Sequence, residues 1–307
     1  MKILFFGRGV IGTLYAWAFE KAGHTVEFYV REARKEQYGS QVNLEIWDTR
    51  RTKIDQKVKE VWPIKTYKEI APNHDYDFIF LSVNPEQVSS AISFLAPRVG
   101  NATVLFFCHF WQDPQLAVNP IPLDQIVWGF PGSGGGFEGN TLYGGLSKTV
   151  SFVPIESGPT KRDLEARQLF ADAGFKIAIQ KHAQSWRWNR FAINVAMEIE
   201  VLKSGSFKNA VSSREALSGI GSNVKEIIKV LQAKGSKIDV MTWLLGSLPP
   251  RTVGFIMSRV MKPGSMNYAA VEHNHFKVGY AVAEVIADAR KYGIKAPRLY
   301  EVESLIR

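Results

Sequence analysis

Residues 2–12, KILFFGRGVIG, decide the fold of this chain. The stretch begins with an apolar run of the kind that forms a buried strand, and apolar residues recur at helical spacing from Val10 onward. Between them lies a turn with the pattern G-x-G-x-x-G, formed by Gly7, Gly9 and Gly12. A strand, a glycine turn and a helix in this order are typical of the first β-α unit of a parallel sheet.

The glycine turn predicts dinucleotide binding. The first glycine permits the tight turn, the second lets a pyrophosphate approach the backbone, and the third lets the helix lie close to the strand. The start of the helix adds free N–H groups and a partial positive charge. We therefore expect the following residues to bind the dinucleotide: Gly7, Arg8, Gly9, Val10, Ile11 and Gly12.

The end of the second predicted strand, residues 24–30, indicates which dinucleotide is bound. NAD sites usually carry Asp or Glu at this place, where it accepts hydrogen bonds from the ribose. Here Arg31 stands at that place, followed by Glu32 and Arg34. Because an arginine fork matches a 2′-phosphate, the stretch predicts NADP. A ribose contact by Glu32, or two solvated arginines at a helix start, are the alternatives.

The first part of the chain alternates strands with helices, which favours a parallel sheet covered on both faces. Residues 42–66 are consistent with a hairpin, and the glycine-rich residues 131–149 with a connector or a second hairpin. Further strands are predicted at residues 77–83, 102–108, 125–130, 149–155 and 175–180, with helices after Pro85 and at 161–173. We predict an α/β fold in which residues 1–181 form a Rossmann-type, doubly wound parallel sheet.

Strand patterns are absent from the sequence after residue 182, and amphipathic segments follow one another. Helices are predicted at residues 185–203 and 223–235, and a long helix at 267–292 before Gly293. Residues 182–307 are therefore expected to form an all-α C-terminal domain.

Composition narrows the class of protein. The 307 residues carry a net charge of +9, but the basic residues are spread along the chain, so we expect small anionic ligands and no nucleic acid. No apolar segment reaches the roughly 18 residues of a membrane span, so no membrane partner is expected. Cys108 is the single cysteine, which excludes an internal disulfide and is consistent with a cytoplasmic location.

Four further stretches are similar to those of a known family. They are YVREAR after the second strand, FLSVNPEQ after the fourth, WNRFAIN at the start of the helical domain, and SMNYAAVEHNHFKVGY near the end. With the glycine turn, they make the sequence resemble the ketopantoate reductase (2-dehydropantoate 2-reductase) family over nearly its whole length.

The resemblance implies reduction of a 2-oxo acid with NADPH, as in pantothenate biosynthesis, in a cleft between a Rossmann domain and a helical domain. It assigns Gly7, Gly9, Gly12 and Arg31 to the cofactor. It also implies that Asn194 lies in the cleft and that Ser265 contacts the substrate.

The chain departs from the family pattern at four places in this cleft. Arg190 replaces the general-acid lysine, and Lys277 replaces a glutamate. Asn84, in the loop that would contact the cofactor, replaces a lysine. Cys108-His109-Phe110 replaces the usual glutamine-asparagine-glycine. The substrate is therefore open, and ketopantoate is one candidate among several.

The residues that this chain has at these places suggest roles different from those of the family's residues. Arginine keeps its proton, so Arg190 is expected to hold a carboxylate or an oxyanion instead of donating a proton. The proton donor is then Lys277, with His273 one helical turn before it, or His109. The alternative is structural: Arg187, Arg190, Asn194 and Glu198 would form a solvated, ion-paired helix face, and Lys277 would lie on an exposed one. No metal site is expected.

The sequence thus predicts an NADPH-dependent reductase of a 2-oxo acid or related small carbonyl compound. The alternative is a non-catalytic NADP(H)-binding regulatory protein that has lost the acid. Neither prediction fixes the oligomeric state, and a homodimer stays open.

Overall fold

The structure, a computed structural model, describes residues 1–52, 56–154 and 158–306. Contacts within this described chain divide it into two units. The N-terminal unit consists of Met1–Cys108 and Gln112–Lys181, and the helical unit consists of His109–Trp111 and the chain from His182 onward. The segment His109–Trp111 therefore packs with the second unit, although it follows a strand of the first.

The N-terminal unit is built on a parallel sheet. In chain order the strands are β1 (Lys2–Phe6), β2 (Thr25–Tyr29), β3 (Gln41–Asp48), β4 (Lys57–Pro63), β5 (Thr66–Tyr67), β6 (Phe78–Leu81), β7 (Thr103–Phe106), β8 (Ile126–Phe130), β9 (Gly134–Glu138), β10 (Thr141–Leu146), β11 (Thr149–Phe152) and β12 (Lys176–Ile179). Within the described residues, the main sheet has eight strands in the order β12-β11-β8-β7-β6-β1-β2-β5. Neighbours from β8 to β5 are parallel, which confirms the predicted sheet.

One edge of the main sheet departs from the prediction. β11 runs antiparallel to β8, while β12 is parallel to β11. The chain between β8 and β11 folds into a hairpin instead of the crossover helix that a parallel pair needs, so β11 returns in the opposite direction. Residue 155, the last of the predicted strand 149–155, lies outside the described residues.

A second sheet in the same unit joins two hairpins. Across the described residues its order is β4-β3-β10-β9. β3 and β4 are the predicted hairpin of residues 42–66, of which 53–55 lie outside the described residues, and β9 and β10 form the predicted alternative hairpin. A Cβ at Gly135 would lie 2.1 Å from the carbonyl oxygen of Tyr143, so glycine permits the close approach of β9 and β10. The parallel pairing of β10 with β3 was not predicted.

The N-terminal unit also contains helices between its strands. They are α1 (Val10–Lys21), α2 (Glu32–Tyr38), α3 (Val88–Leu95), α4 (Pro114–Val118) and α5 (Lys161–Asp172). Helix α1 is almost entirely buried, and the Tyr15 ring centroid lies 5.4 Å from that of Phe80 and 5.3 Å from that of Phe175. This aromatic packing fixes the position of α1 on the sheet and, with it, the position of the glycine turn.

The helical unit confirms the predicted all-α region. Its helices are α6 (Ala183–Ser204), α7 (Phe207–Ser212), α8 (Arg214–Ala233), α9 (Val240–Ser247), α10 (Pro250–Val260), α11 (Met266–Glu272), α12 (Tyr280–Lys291) and α13 (Pro297–Glu301). The core lies between α6, α8 and α12, where apolar side chains at helical spacing are fully or almost fully buried. Among them are Phe191, Val195, Ile199, Ile220, Val224, Ile227, Val282 and Val285.

The prediction of one long helix over residues 267–292 is wrong. Helix α11 ends at Glu272, α12 begins at Tyr280, and an irregular segment joins them. The side-chain oxygen of Asn274 accepts a hydrogen bond from the Phe276 N–H at 2.9 Å, and Gly279 has a φ of 122°. Both features stop a helix, because the side chain competes for a backbone donor and the positive φ is outside the helical range.

Candidate functional site

The glycine turn lies between β1 and α1, as predicted. The Gly7 N–H donates to the Tyr29 carbonyl at 2.8 Å, which ties the turn to β2, and the φ of Gly7 is 91°. Gly9 is the N-cap residue of α1, and the first turn contains neither a capping side chain nor an acidic residue. The first intrahelical bond is from the Thr13 N–H to the Gly9 carbonyl, so the N–H groups of the first turn are open to an anion.

The three positions of the turn differ in whether, and why, they need a glycine. Gly7 needs glycine for its positive φ. A Cβ at Gly9 would have the Ser82 carbonyl oxygen as its nearest neighbour, at 3.9 Å, and would otherwise stand in the open space where an anion approaches. A Cβ at Gly12 would make ordinary contacts of 3.5 Å with the Gly7 oxygen and 3.6 Å with Phe5. The packing of α1 on β1 therefore does not require glycine at position 12.

Arg8 holds the turn in place through its side chain. The guanidinium is buried between two rings, 4.6 Å from the Tyr38 centroid and 4.7 Å from the Phe137 centroid. It donates to the Asn140 side-chain oxygen at 2.8 Å and to the Tyr38 carbonyl at 3.2 Å. Burial lowers the pKa of Arg8. The guanidinium thus joins the turn to α2 and to the second sheet, and the backbone of Arg8 is left as its contribution to a ligand.

Arg31 and Arg34 are exposed at the start of α2. The Arg34 N–H donates to the Arg31 carbonyl at 2.8 Å, so both belong to the same turn. Glu32, the alternative ribose ligand, forms an ion pair with Lys68. On the far side of β1, Asn84 follows β6 and caps the short turn Pro85–Gln87. The exposed Arg31 therefore presents a positive charge at the end of β2.

Helix α6 carries a polar stripe in the helical unit. Arg187, Asn194 and Glu198 are spaced by seven and four residues, so they lie on one face of the helix. The Arg187 guanidinium carbon is 5.6 Å from the Phe110 ring centroid, and the carboxylate of Glu198 accepts from the Gly279 N–H at 3.3 Å. Arg187 and Glu198 are buried, so the alternative of a solvated helix face is wrong for these two residues. Desolvation lowers the pKa of Arg187 to about 9.

The structure brings His109 and Asn194 together. The amide nitrogen of Asn194 lies 3.0 Å from Nδ1 of His109. Asn194 is exposed, and His109 keeps part of its surface open to solvent although protein surrounds most of the ring. The resulting desolvation lowers the pKa of His109 to about 4. The expectation that His109 titrates near neutral pH is therefore corrected: the imidazole is neutral there.

The segment around His109 is fixed by the helical unit. The Trp111 indole N–H donates to Asp288 at 2.7 Å, and Lys234 binds the same carboxylate oxygen at 2.7 Å. The Trp188 indole N–H donates to the Trp111 carbonyl at 3.0 Å. These bonds hold both the side chain and the backbone of Trp111, two residues after His109, so the imidazole has a defined position.

Arg190 already has a carboxylate partner. Its guanidinium forms an ion pair with Asp239, the N-cap residue of α9, and donates to the sulfur of Met241 at 3.0 Å. The neighbouring Asn189 accepts from the Asp239 N–H at 3.1 Å. Sequence reasoning missed Asp239. The spacing Asp239-x-x-Thr242 is a usable helix-start signal, but nothing in it indicates a partner on α6.

Ser265 and Lys277 lie on other elements of the helical unit. Ser265 is the N-cap residue of α11, and its hydroxyl oxygen accepts from the Tyr268 N–H at 3.2 Å. Lys277 is exposed in the irregular segment before α12, so the predicted one-turn spacing between it and His273 does not exist. Within the described residues, neither side chain forms a hydrogen bond or ion pair with His109 or Asn194. Glu198 links α6 to this segment through the Gly279 N–H, and Val201 of α6 packs in one cluster with Phe276 and Val278.

The described parts of the chain contain no cluster of three or more His, Cys, Asp or Glu side chains suited to a metal ion. None of the helices described combines the length and the apolar character that a membrane span requires.

Known structures share this fold. D-mandelate dehydrogenase, in a ternary structure with NADH and anilino(oxo)acetate, has a TM-score of 0.74 at 14% identity, covering 100% of this chain and 97% of that one. The 2-dehydropantoate 2-reductase from Geobacter metallireducens has a TM-score of 0.71 at 15% identity, covering 100% of this chain and 99% of that one. A dimeric ketopantoate reductase from Staphylococcus aureus has a TM-score of 0.65 at 14% identity, with the same two coverages.

Sequence comparisons give the family. The 2-dehydropantoate 2-reductase of Vibrio cholerae is 22% identical, and the match covers 89% of this chain and 94% of that protein. The family model "Ketopantoate reductase PanE/ApbA" matches residues 3–109, and its C-terminal counterpart matches residues 182–307. The first family model includes the glycine turn and His109, and the second includes α6 with Asn194. The chain therefore belongs to the ketopantoate reductase family of oxidoreductases, as a divergent member.

Proposed function

We propose that the protein is an NADPH-dependent reductase of a 2-oxo acid or a related small carbonyl compound. The observation that carries the choice of cofactor is the exposed Arg31 at the end of β2, next to a Glu32 that is already paired with Lys68. A guanidinium at this place suits a 2′-phosphate, and a carboxylate neutralised by lysine is a poor partner for ribose hydroxyls. The mandelate dehydrogenase structure holds NADH, so the preference for NADPH needs its own test.

The N-terminal unit fits a nicotinamide dinucleotide. The open space at Gly9, the uncapped first turn of α1 and the absence of acidic residues from that turn all suit a pyrophosphate. Arg8 would contribute its backbone, and Asn84 would border the site after β6. When bound, the reduced dinucleotide supplies the hydride.

The helical unit offers the groups that a 2-oxo acid needs. Asn194 and His109 are hydrogen-bonding side chains that a small molecule can reach from solvent. Arg190 is the proposed anchor for the carboxylate, in competition with Asp239, and Ser265 is a further proposed contact. Lys277 is the proposed proton donor, because it is exposed, carries a transferable proton and lies in a segment tied to α6 through Glu198.

The test is NADPH oxidation with a panel of 2-oxo acids, ketopantoate among them, alongside NADH as the competing cofactor. We expect turnover with at least one acid and a preference for NADPH. Lys277→Met should lower kcat by roughly 100-fold, the usual size of a general-acid effect, while Lys262→Met, an exposed lysine outside the proposed site, should not. Binding of NADPH with no turnover of any carbonyl compound would instead favour the non-catalytic regulatory protein.

A homodimer is the proposed assembly. Helices α9 and α10 expose several large apolar side chains, namely Val240, Met241, Trp243, Leu244, Phe255, Ile256 and Val260. Several exposed apolar side chains on two helices are consistent with a protein interface, and one fold relative is described as dimeric. Light scattering should give twice the chain mass, and Trp243→Glu should reduce it to one chain; an unchanged monomer in both proteins would contradict the proposal. The cytoplasmic location stays a prediction.

A further inference from the structure

The His109 imidazole is held so that its hydrogen-bonding pattern is decided by its neighbour. The amide nitrogen of Asn194, which can only donate, lies 3.0 Å from Nδ1 of His109. Nδ1 must therefore accept, and in a neutral imidazole the proton then resides on Nε2. Asn194 thus selects one of the two tautomers.

From this geometry we propose that His109 acts as a neutral hydrogen-bond donor, through Nε2–H, to the carbonyl oxygen of the substrate, and that Asn194 is the positioning residue that keeps the proton on Nε2. The inference rests on the proposed reductase function and deepens it. It also gives His109 a role other than that of proton donor, since a group that polarises the carbonyl need not be the group that protonates it.

The surroundings of His109 favour the neutral ring. Desolvation lowers its pKa to about 4. Phe110 follows it, and its ring contacts the buried guanidinium of Arg187. On the other side Cys108 is buried, and desolvation raises the pKa of its thiol to about 12, so it brings no negative charge.

The remaining charged groups of the neighbouring elements have partners of their own. On α6, Arg190 is paired with Asp239, and Glu198 accepts from Gly279. Next to Trp111, the carboxylate of Asp288 is shared between the indole and Lys234. Glu284, half-buried on α12, is a further carboxylate on these elements.

A rigid donor at this place has a clear chemical use. When hydride adds to the carbonyl carbon, a C–H bond forms, and the π electron pair of the C=O bond moves onto oxygen. The hydride would come from a C–H bond of the reduced dinucleotide, which would leave as the oxidised cofactor. The Nε2–H of His109 would stabilise the resulting alkoxide, and a proton from the Lys277 ammonium would complete the hydroxyl group. A pre-positioned donor of this kind is worth about 100- to 1,000-fold in kcat.

The tautomer can be read directly in the full-length protein. Long-range ¹H–¹⁵N spectra of ¹⁵N-histidine-labelled protein distinguish Nε2–H, Nδ1–H and imidazolium rings, and the His109→Gln variant identifies the signal. We expect an Nε2–H ring that stays unchanged from about pH 8 to pH 5, given the downward shift caused by burial. An Nδ1–H ring, or a ring that titrates near pH 6.5, would overturn the proposal.

A substitution at position 194 tests the positioning role. The carboxylate of Asn194→Asp accepts instead of donating, so it should move the proton to Nδ1 or hold a second proton on the ring. Asn209→Asp, an exposed change on α7 in the same unit, is the matched control and should leave the spectrum unchanged. Identical His109 signals in all three proteins would contradict the role assigned to Asn194.

Kinetics completes the test. His109→Gln retains an N–H donor and should keep a substantial part of kcat, whereas His109→Phe should lose about 100-fold or more with little change in KM. Equal kcat values for wild type and His109→Phe would reject the catalytic role while leaving the reductase function intact. Conversely, no turnover by wild type with any carbonyl compound would reject the reductase function and, with it, the role of His109 in catalysis. The spectra would still report on Asn194.

Discussion

The carboxylate of Glu32 is paired with the ammonium group of Lys68, directly beside Arg31. This pair removes the acidic group that NAD sites use at the end of the second strand. It leaves the exposed guanidinium of Arg31 as a positive charge at the start of α2.

We therefore expect Arg31→Ala to weaken NADPH binding by about 10- to 100-fold, the loss of one charge-assisted hydrogen bond. NADH binding should change by less than about threefold, because NADH has no 2′-phosphate. Fluorescence titration of both cofactors provides the measurement. Lys68→Met is the control that frees Glu32, and it should improve NADH binding. Equal losses for both cofactors in Arg31→Ala would mean that Arg31 does not read the 2′-phosphate.

Alanine substitutions at Gly9 and Gly12 should affect cofactor binding and stability differently. Gly9→Ala places a methyl group in the open space before α1, and we expect NADPH binding to weaken by at least about 10-fold with stability nearly unchanged. Gly12→Ala adds the same methyl group inside the helix, where its contacts are ordinary, and should raise the unfolding free energy by up to about 1 kcal/mol. Thermal unfolding and NADPH titration of both variants measure the two effects. If Gly12→Ala proves the more damaging for binding, the pyrophosphate does not lie at Gly9.

The ion pair between Arg190 and Asp239 gives a test of the substrate anchor. Asp239→Asn removes the internal competitor, so the KM for the 2-oxo acid should fall several-fold while the protein loses about 1–3 kcal/mol of stability. Arg190→Met should raise the same KM. If both substitutions lower stability and leave KM unchanged, the role of Arg190 is structural, and its ion pair only connects α6 with the start of α9.

Glu284 predicts a pH dependence of stability. Desolvation, with a smaller contribution from Asp288, raises its pKa from 4.5 to about 7, against the opposing effect of Lys234. The folded protein then keeps a proton that the unfolded chain loses, so the destabilisation is absent below about pH 4.5, grows between 4.5 and 7, and is complete above 7.

We expect Glu284→Gln to raise the unfolding free energy at pH 8 by about 1 kcal/mol, allowing for its partial exposure, and to have almost no effect at pH 4. Denaturant titrations at the two pH values provide the measurement. Glu69→Gln, an exposed glutamate in the N-terminal unit, is the control and should show no such difference. A gain of equal size at both pH values would mean that folding does not raise the pKa of Glu284.

The sequence predicted the fold better than it predicted the site. Strands and the glycine turn were visible because local apolar runs and glycine spacing encode them. The break at residues 273–279 was missed because the apolar pattern resumes after Asn274 and Gly279. The side-chain hydrogen bond of Asn274 and the positive φ of Gly279, which stop the helix, are seen only in the structure. The pairing of His109 with Asn194, 85 residues away, leaves no local pattern at all. Such partners follow from the packing of distant elements, which spacing along one segment does not reveal.

The way Trp111 is held limits how this protein can be taken apart. A gene fragment that ends at residue 181 would encode Trp111 without Asp288, Lys234 and Trp188, so its indole and backbone would lose the partners that anchor them. A fragment that starts at residue 182 would keep these partners and leave their hydrogen bonds unmade. The helical unit is therefore not an exchangeable module in recombination or in chimera design unless three residues of the other segment, His109 to Trp111, are transferred with it.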